Sequence, residues 1–488
     1  MARRAVLSSR AANPEQDSVY RLYYDFSCPA AKLQGHQILA LNRGEQEGFL
    51  KLSVDLPGAE GSSLVCRHAL RPGKTVSSFV RAAAEDAYAR LIAPAAEREL
   101  RNDLTSRAAE GAIGNFSLNL KPLLLQPPVK GAVTMGLDPG YRNGCKVAVV
   151  DPTGRVLDTA VVYPTLSQRK KEEAQERLLA LIRTHHVRHI AIGNGTASRE
   201  TEEMTAAMLQ QAPGVTYMIV NEAGASVYSA SALAAEEFPD FDVNLRSAIS
   251  IARRLQDPLA ELVKIEPQAI GVGQYQHDMP QKRLAEALEA VVEDCVNAVG
   301  VDVNTASPSL LRQVAGLNGT TAKNIVAYRE EHGPFSSRKQ LLKVPKLGPK
   351  AFQQCAGFLR VPESRELLDH TGVHPESYPA AERLLQLLGL PKGERLAGLS
   401  QKVEALGWEQ AAAACDVGIP TLQDMAQELE KPGRDPREDL PAPVLRRDVM
   451  SVQDLKPGMV LTGTVRNVID FGVFVDIGVH QDGLVNIS

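Results

Sequence analysis

The sequence lacks any apolar run near the ~18 residues that a membrane-crossing helix needs. Its opening, Met1-Ala-Arg-Arg, leads into polar residues and not into the apolar core of a signal peptide. It lacks a Cys-x-x-Cys pair, and its six cysteines (Cys28, Cys66, Cys145, Cys295, Cys355, Cys415) stand far apart. That argues against a zinc ribbon and against a secreted disulfide framework, and points to the reducing cytoplasm. It lacks an excess of either charge: 54 Lys and Arg stand against 58 Asp and Glu, a net of −4. The whole chain is therefore no polybasic nucleic-acid binder, and any such surface must be local. Neither a Walker loop nor a Gly-x-Gly-x-x-Gly fingerprint occurs.

What remains is an ordinary globular composition, 44% hydrophobic and 23% charged, over 488 residues. That length predicts about three or four domains. Residues 1–130 read as a mixed helical region with a β-hairpin. Gln37 to Val54 reads as two strands around a polar, glycine-containing turn, and the Ala- and Arg-rich stretch from Ser77 to Ala108 as helix. Residues 131–257 read as three strands ending near Asp138, Asp151 and Tyr163, then helix, strand, helix, strand and more helix. This is the pattern of one mixed sheet covered by helices. Ser226 to Glu237 reads as a single helix there. Residues 258–300 read as a helical connector, 301–362 as paired helical hairpins, 363–440 as a helical domain whose Pro- and Gly-rich end is a solvated linker, and 441–488 as β-rich. The fold class is thus multi-domain, mainly α with α/β.

Three constellations carry chemistry. Asp138 and Glu222 each fall at or just past the C-terminal end of a strand, where open sheets place ligands. Two carboxylates there could hold Mg²⁺ and drive phosphodiester cleavage. The favoured reading is that they cap turns and helices in a scaffold. The second constellation is a repeated turn. Val314-Ala-Gly-Leu-Asn-Gly and Val344-Pro-Lys-Leu-Gly-Pro each sit between helical stretches. Such a turn lets backbone N–H groups meet a phosphate, with glycine permitting close approach; a bundle with plain glycine caps is the other reading. Residues 301–360 hold nine Lys or Arg against three acids, a local basic footprint that favours phosphate. Candidate contacts are Gly316, Asn318, Lys323, Lys346, Gly348 and Lys350, although Asn318 and Lys346 stand where glycine is usual. The third is the C-terminal segment, where alternation sets Phe471, Phe474 and His480 near one face with Arg466 close by. Aromatic rings there can stack on unpaired bases, or belong to a barrel core.

Weaker signals have simpler explanations. His185, His186 and His189 cluster before a strand with no carboxylate or cysteine at ligand spacing, and read as a solvated helix end. Gly193-Asn-Gly-Thr-Ala-Ser could receive a phosphate or merely cap a helix.

Asp138-Pro-Gly-Tyr-Arg-Asn-Gly-Cys-Lys resembles the opening of a YqgF-type RNase H-like domain, and Glu222 matches its second acid. The further acid expected on the last helix is missing: Arg246 and Ser247 stand there, with Asp240, Asp242 and Asp257 flanking. The paired turns resemble helix-hairpin-helix motifs. The segment from Asp454 resembles the start of the S-one-type RNA-binding OB fold, whose 37 residues from Val452 suffice for about three strands and only a partial barrel. In this order the modules, with Ala191-Ile-Gly-Asn-Gly-Thr-Ala-Ser-Arg-Glu, Val220-Asn-Glu-Ala-Gly-Ala-Ser and Ile251-Ala-Arg-Arg-Leu-Gln-Asp-Pro, resemble the bacterial Tex family of transcription accessory proteins. The resemblance implies a chain shorter than the family at both ends. It implies a cytoplasmic binder of RNA, single strands preferred, and of DNA as a second partner. Transcription or translation machinery is a further candidate partner, and no membrane is expected. No catalysis and no cofactor are expected. Mg²⁺ enters only if the alternative holds, a metal-dependent structure-specific nuclease at Asp138 and Glu222.

Overall fold

The computed structural model describes residues 4–55, 58–69, 77–390, 396, 398–447, 455–461, 463–469, 472–477, 479 and 482–486. Two compact units form, residues 1–120 with 271–289, and residues 121–270 with 290–488.

In the first unit, strands β1 (Val6–Ala11), β2 (Asp25–Pro29) and β3 (Leu50–Asp55) make an antiparallel sheet in the order β2-β1-β3. The expected hairpin around residues 37–54 is only half right. Its second strand is β3, but its first is a helix, α1 (Gly35–Gln46). Ile38, Leu39 and Leu41 are buried in that helix, and Gln37 closes its start by accepting from the Gln34 N–H at 3.0 Å. Gly44 then lets Leu50 close in, since a Cβ there would lie 2.6 Å from Leu50 Cδ1. These contacts select helical over extended backbone, and β3 pairs with β1 instead. Helices α2 (Gly58–Ala69) and α3 (Ser77–Ala87) follow. One π turn, Tyr88–Ile92, carries α3 into α4 (Ala93–Leu124). Residues 271–289 join this unit: Asn119 donates to the Val272 carbonyl at 2.9 Å, and Arg283 pairs with Glu110 at 3.1 Å.

The second unit holds the mixed sheet. Strands β4 (Thr134–Asp138), β5 (Cys145–Val150) and β6 (Val156–Val162) form an antiparallel meander. Helix α5 (Gln168–His185) leads to β7 (His189–Gly193), and α6 (Ser198–Leu209) to β8 (Thr216–Val220). The order is β6-β5-β4-β7-β8, with β4, β7 and β8 parallel. One face packs Met135, Leu137, Ile190 and Ile192 against Leu178, Ile182 and Met208 of α5 and α6. Short helices α7 (Ala225–Ser229) and α8 (Ala232–Glu237) replace the single helix expected there. Ser231 breaks the run because its Oγ accepts the Ala234 N–H at 3.2 Å and starts a new helix. Helix α9 (Val243–Gln256) closes the other face of the sheet, and α10 (Pro258–Leu262) follows. Gly136 allows the close approach: a Cβ there would sit 2.2 Å from the Ala248 carbonyl oxygen.

After α11 (Gln281–Val299), the short parallel strands β9 (Val301–Asp302) and β10 (Leu359–Arg360) bracket the hairpin region. Between them lie α12 (Pro308–Leu311), α13 (Gly319–His332), a 3-10 turn at Arg338–Lys343 and α14 (Pro349–Cys355). Helices α15 (Tyr378–Leu387), α16 (Leu399–Leu406), α17 (Trp408–Cys415) and α18 (Ile419–Glu430) pack around Leu384, Val403, Leu422 and Ala426. The stretch expected as a solvated linker is anchored. Arg437 is 3% exposed, and its guanidinium meets Asp257 at 2.7 Å and Asp435 at 2.8 Å. Its composition is that of a linker, but its partner lies 180 positions earlier, out of reach of any local reading. The chain then forms an antiparallel meander, β11 (Thr464–Ile469), β12 (Gly472–Asp476) and β13 (Gly483–Asn486).

Candidate nucleic-acid interface

The two hairpin turns share one backbone path. Gly316 and Lys346 each stand three residues before a helix, and both are left-handed, at φ 81° and 65°. The following leucines close equivalent bonds: the Leu317 N–H donates to Val314 O at 3.0 Å, and that of Leu347 to Val344 O at 3.1 Å. Gly316 needs its missing side chain twice over, because a Cβ would also lie 2.5 Å from Gln354 Cβ. Lys346 takes the same conformation with a side chain, at a steric cost. Asn324 Nδ2 donates to Pro345 O at 2.7 Å and ties the two hairpins together.

The two helix starts differ. Asn318 Oδ1 accepts the N–H groups of Thr320 at 2.9 Å and Thr321 at 3.1 Å. A phosphate at α13 must compete with that cap. Gly348 places no side chain over α14, which has no side-chain cap. Exposed Lys346 and Lys350 stand beside it, and Lys323 is exposed one turn into α13.

Three of the nine basic residues do not contribute to that surface. Arg338 is 1% exposed and donates to the carbonyls of Leu359, Leu368, Thr371 and Val373. Arg329 donates to Val303 O at 2.7 Å and Arg360 to Arg434 O at 2.8 Å. Those three arginines hold the fold. Arg312, Lys323, Lys339, Lys343, Lys346 and Lys350 are exposed, against exposed Glu330 and Glu331, so the surface stays positive.

At the C-terminus Phe474 is half-buried on β12. Phe471 and His480 lie outside the described residues. Arg466 falls at an irregularity of register between Val465 and Asn467. Pairing sets Leu484 opposite Phe474 and Asn486 opposite Gly472. Leu484 and Asn486 therefore share the Phe474 face. The alternation of Gly483-Leu-Val-Asn could have signalled Asn486, which the sequence reading passed over.

Asp138 and Glu222 do come to one rim. Gly193, at the end of β7 between them, and Gly195 clear the space: Cβ atoms there would lie 2.2 Å and 1.7 Å from the Glu222 carboxylate oxygens. Burial holds the Asp138 carboxyl above its usual range, against a hydrogen bond from Ser247 and the Lys146 ammonium. Burial, then the Asp138 charge, raises Glu222, against the Gly195 N–H and Arg254. Glu222 Oε2 is buried without a hydrogen-bond partner. Arg254, pushed down to about 10 by burial, donates to the Asn221 and Ala223 carbonyls. Ser247 thus stands beside Asp138 where a third acid was sought. Asp242 and Asp257 cap helices, accepting from the N–H groups of Leu245 at 2.9 Å and Ala260 at 3.2 Å. Among the described residues no group of three His, Cys, Asp or Glu could hold a metal ion. His185 meets Asp158 at 3.1 Å and His189 meets Thr216 at 2.9 Å, which separates the histidine cluster. Ala197, at φ 65°, precedes α6 with no side-chain cap, so neither Thr196 nor Ser198 plays that part.

A separate cleft of about 1060 Å³ is lined by both charges, including Arg437, Asp257, Asp435, Lys264 and Glu261. These pair with one another, and the cleft reaches neither the carboxylates nor the hairpin turns.

Family models match the chain in series: Tex central region-like over 1–116, Tex protein YqgF-like domain over 132–256, helix-hairpin-helix motif over 296–360, HHH domain over 366–437 and S1 RNA binding domain over 454–488. The protein YdcI of Bacillus subtilis is 51% identical over 484 residues, covering 99% of this chain and 67% of its own length. The chain belongs to the Tex family. Protein tex of Bordetella pertussis is 50% identical, with 96% of this chain and 61% of its own length covered. The transcriptional accessory protein Tex of Neisseria gonorrhoeae is 49% identical, at 96% and 62%. This chain therefore spans about three fifths to two thirds of these Tex-family relatives. A solved Thermus thermophilus RuvC in complex with a Holliday junction substrate is 16% identical, covering 28% of this chain and 96% of its own, with a TM-score of 0.22. The sheet order β6-β5-β4-β7-β8 and the YqgF-like match over 132–256 give this region its RNase H-like fold.

Proposed function

We propose that this Tex-family chain is a cytoplasmic, non-catalytic nucleic-acid-binding factor accessory to transcription, preferring single-stranded RNA. The observation that carries the reading is the repeated hairpin turn, left-handed at Gly316 and at Lys346, with exposed Lys346 and Lys350 at its second copy. Backbone amides and Lys346, Lys350 and Lys323 would hold phosphates, which supply affinity without sequence preference. Phe474, with Phe471, Arg466 and His480 as further candidates, would stack and pair with bases. The Neisseria gonorrhoeae relative, a transcriptional accessory protein by name, supports the transcription role. We assign 131–257 as the RNase H-like scaffold, 301–362 as the hairpin pair and 441–488 as the S-one-type module. Phe474→Ala and Lys350→Ala should each weaken RNA binding in a filter assay, whereas Asp138→Ala should leave it unchanged; the opposite pattern would overturn the reading.

The second reading, a metal-dependent structure-specific nuclease, draws on Asp138 and Glu222 sharing a rim. It requires Mn²⁺- or Mg²⁺-dependent cleavage that Asp138→Asn abolishes.

A further inference from the structure

The segment that leaves α18 is held at two points, one at the end of α9 and one on the mixed sheet. Arg437 is the first, buried between Asp257 and Asp435. Nine residues on, Arg446 pairs with the edge strand β8 as an antiparallel bridge. The Tyr217 N–H donates to Arg446 O, and the Arg446 N–H to Tyr217 O, both at 2.8 Å. Between these points Leu440 and Val444 are exposed, at 44% and 40%. The Arg446 side chain then reaches both ways. It lies 3.8 Å from Glu202 of α6, a carboxylate only 4% exposed that also accepts the Tyr217 hydroxyl at 2.9 Å. It donates to Asp476 of β12 at 3.3 Å. Asp476 stands two residues from Phe474, on the same face of its strand.

We propose that residues 437–446 form a strap and that Arg446 is a positioning residue. It seats the S-one-type strands on the edge of the RNase H-like sheet and presents the Phe474 face in one orientation. A flexible tether would let that face tumble, and each encounter with a strand would then cost ordering entropy; a fixed face avoids part of that cost. At Tyr217 the same strap also pairs backbone groups that the edge strand β8 would otherwise leave open. Arg446 suits both tasks. Its backbone extends the sheet, and its planar guanidinium bridges carboxylates on two elements.

Amide hydrogen exchange on the intact chain tests the strap without nucleic acid, so its outcome is separable from the RNA-binding reading. In Arg446→Ala the Tyr217 amide should exchange at least ~10-fold faster, by local opening, while the Ile190 amide inside the sheet keeps its protection. Arg446→Lys should fall between. Unchanged Tyr217 exchange, or equal loss at Tyr217 and Ile190, would overturn the proposal, the second by showing a merely structural role. In RNA binding, Arg446→Ala should raise Kd without changing the salt slope. A slope reduced by roughly 0.7, one phosphate contact on a single strand, would make Arg446 a direct ligand and overturn the positioning role.

Discussion

Lys346→Gly should make the chain more stable and a weaker binder at once. Lys346 is left-handed at φ 65°, in the turn position that glycine fills at Gly316 in the first hairpin. A left-handed L-residue costs about 1–2 kcal/mol, and the added freedom of glycine in the unfolded chain returns about 0.4–1 kcal/mol of that. The net expectation is a gain of about 0.5–1 kcal/mol. The lysine is exposed beside the uncapped start of α14. Removing it should delete one phosphate contact and flatten the plot of log K against log salt by about 0.7 for a single strand or 0.9 for a duplex. Guanidinium melts report the first quantity, and filter binding across a salt series the second. A less stable Lys346→Gly chain would refute the strain argument. An unchanged salt slope would refute the assignment of Lys346 to phosphate.

Other perturbations reach the scaffold. Arg338→Met should cost about 3–5 kcal/mol in the guanidinium midpoint, because it strands buried carbonyl groups that Arg338 now satisfies. Gly136→Ala should cost about 1–3 kcal/mol by driving a methyl into the Ala248 carbonyl oxygen and the Ala252 amide of α9, with RNA affinity unchanged. Glu222→Gln should stabilise the chain near neutral pH. Burial raises the folded pKa of Glu222 and Asp138, so the folded state binds their protons more tightly than the unfolded state. Their ionisation therefore opposes folding. Stability should fall as pH rises from the ordinary carboxylate range through the raised folded values, and the advantage of Glu222→Gln should vanish below that range. Melts from about pH 4 to 7.5 read this directly; an advantage that grew with acid would have the wrong sign.

Periodicity made the mixed sheet legible. Thr134–Asp138, Cys145–Val150 and Val156–Val162 are short apolar runs with turn residues between them, and strands β7 and β8 fall where the apolar stretches do. The N-terminal sheet was not, because Val6–Ala11 and Asp25–Pro29 alternate with polar residues too weakly to stand out. Helix α1 was misread because Ile38, Leu39 and Leu41 suit either period, and the contact of Gly44 with Leu50 that decides between them is tertiary. The turn residues Gly316 and Lys346 were visible as a repeat, and their shared left-handed backbone is what that repeat encodes. The roles of Arg338, Arg437 and Arg446 were not visible, since the partners that decide them, Leu359, Asp257 and Glu202, lie about 20 to 240 positions away. In a charge count, a buried arginine reads like a surface one.

The central claim is that strands are held through phosphate contacts and left whole. Filter binding of one unstructured RNA to the intact chain, run from low to high salt with Mn²⁺ present and the RNA recovered on a denaturing gel, tests both halves together. Affinity should fall steeply and log-linearly with salt, with the RNA recovered at full length. Salt-independent retention, no retention in dilute buffer, or shortened RNA lost with Asp138→Asn would contradict it.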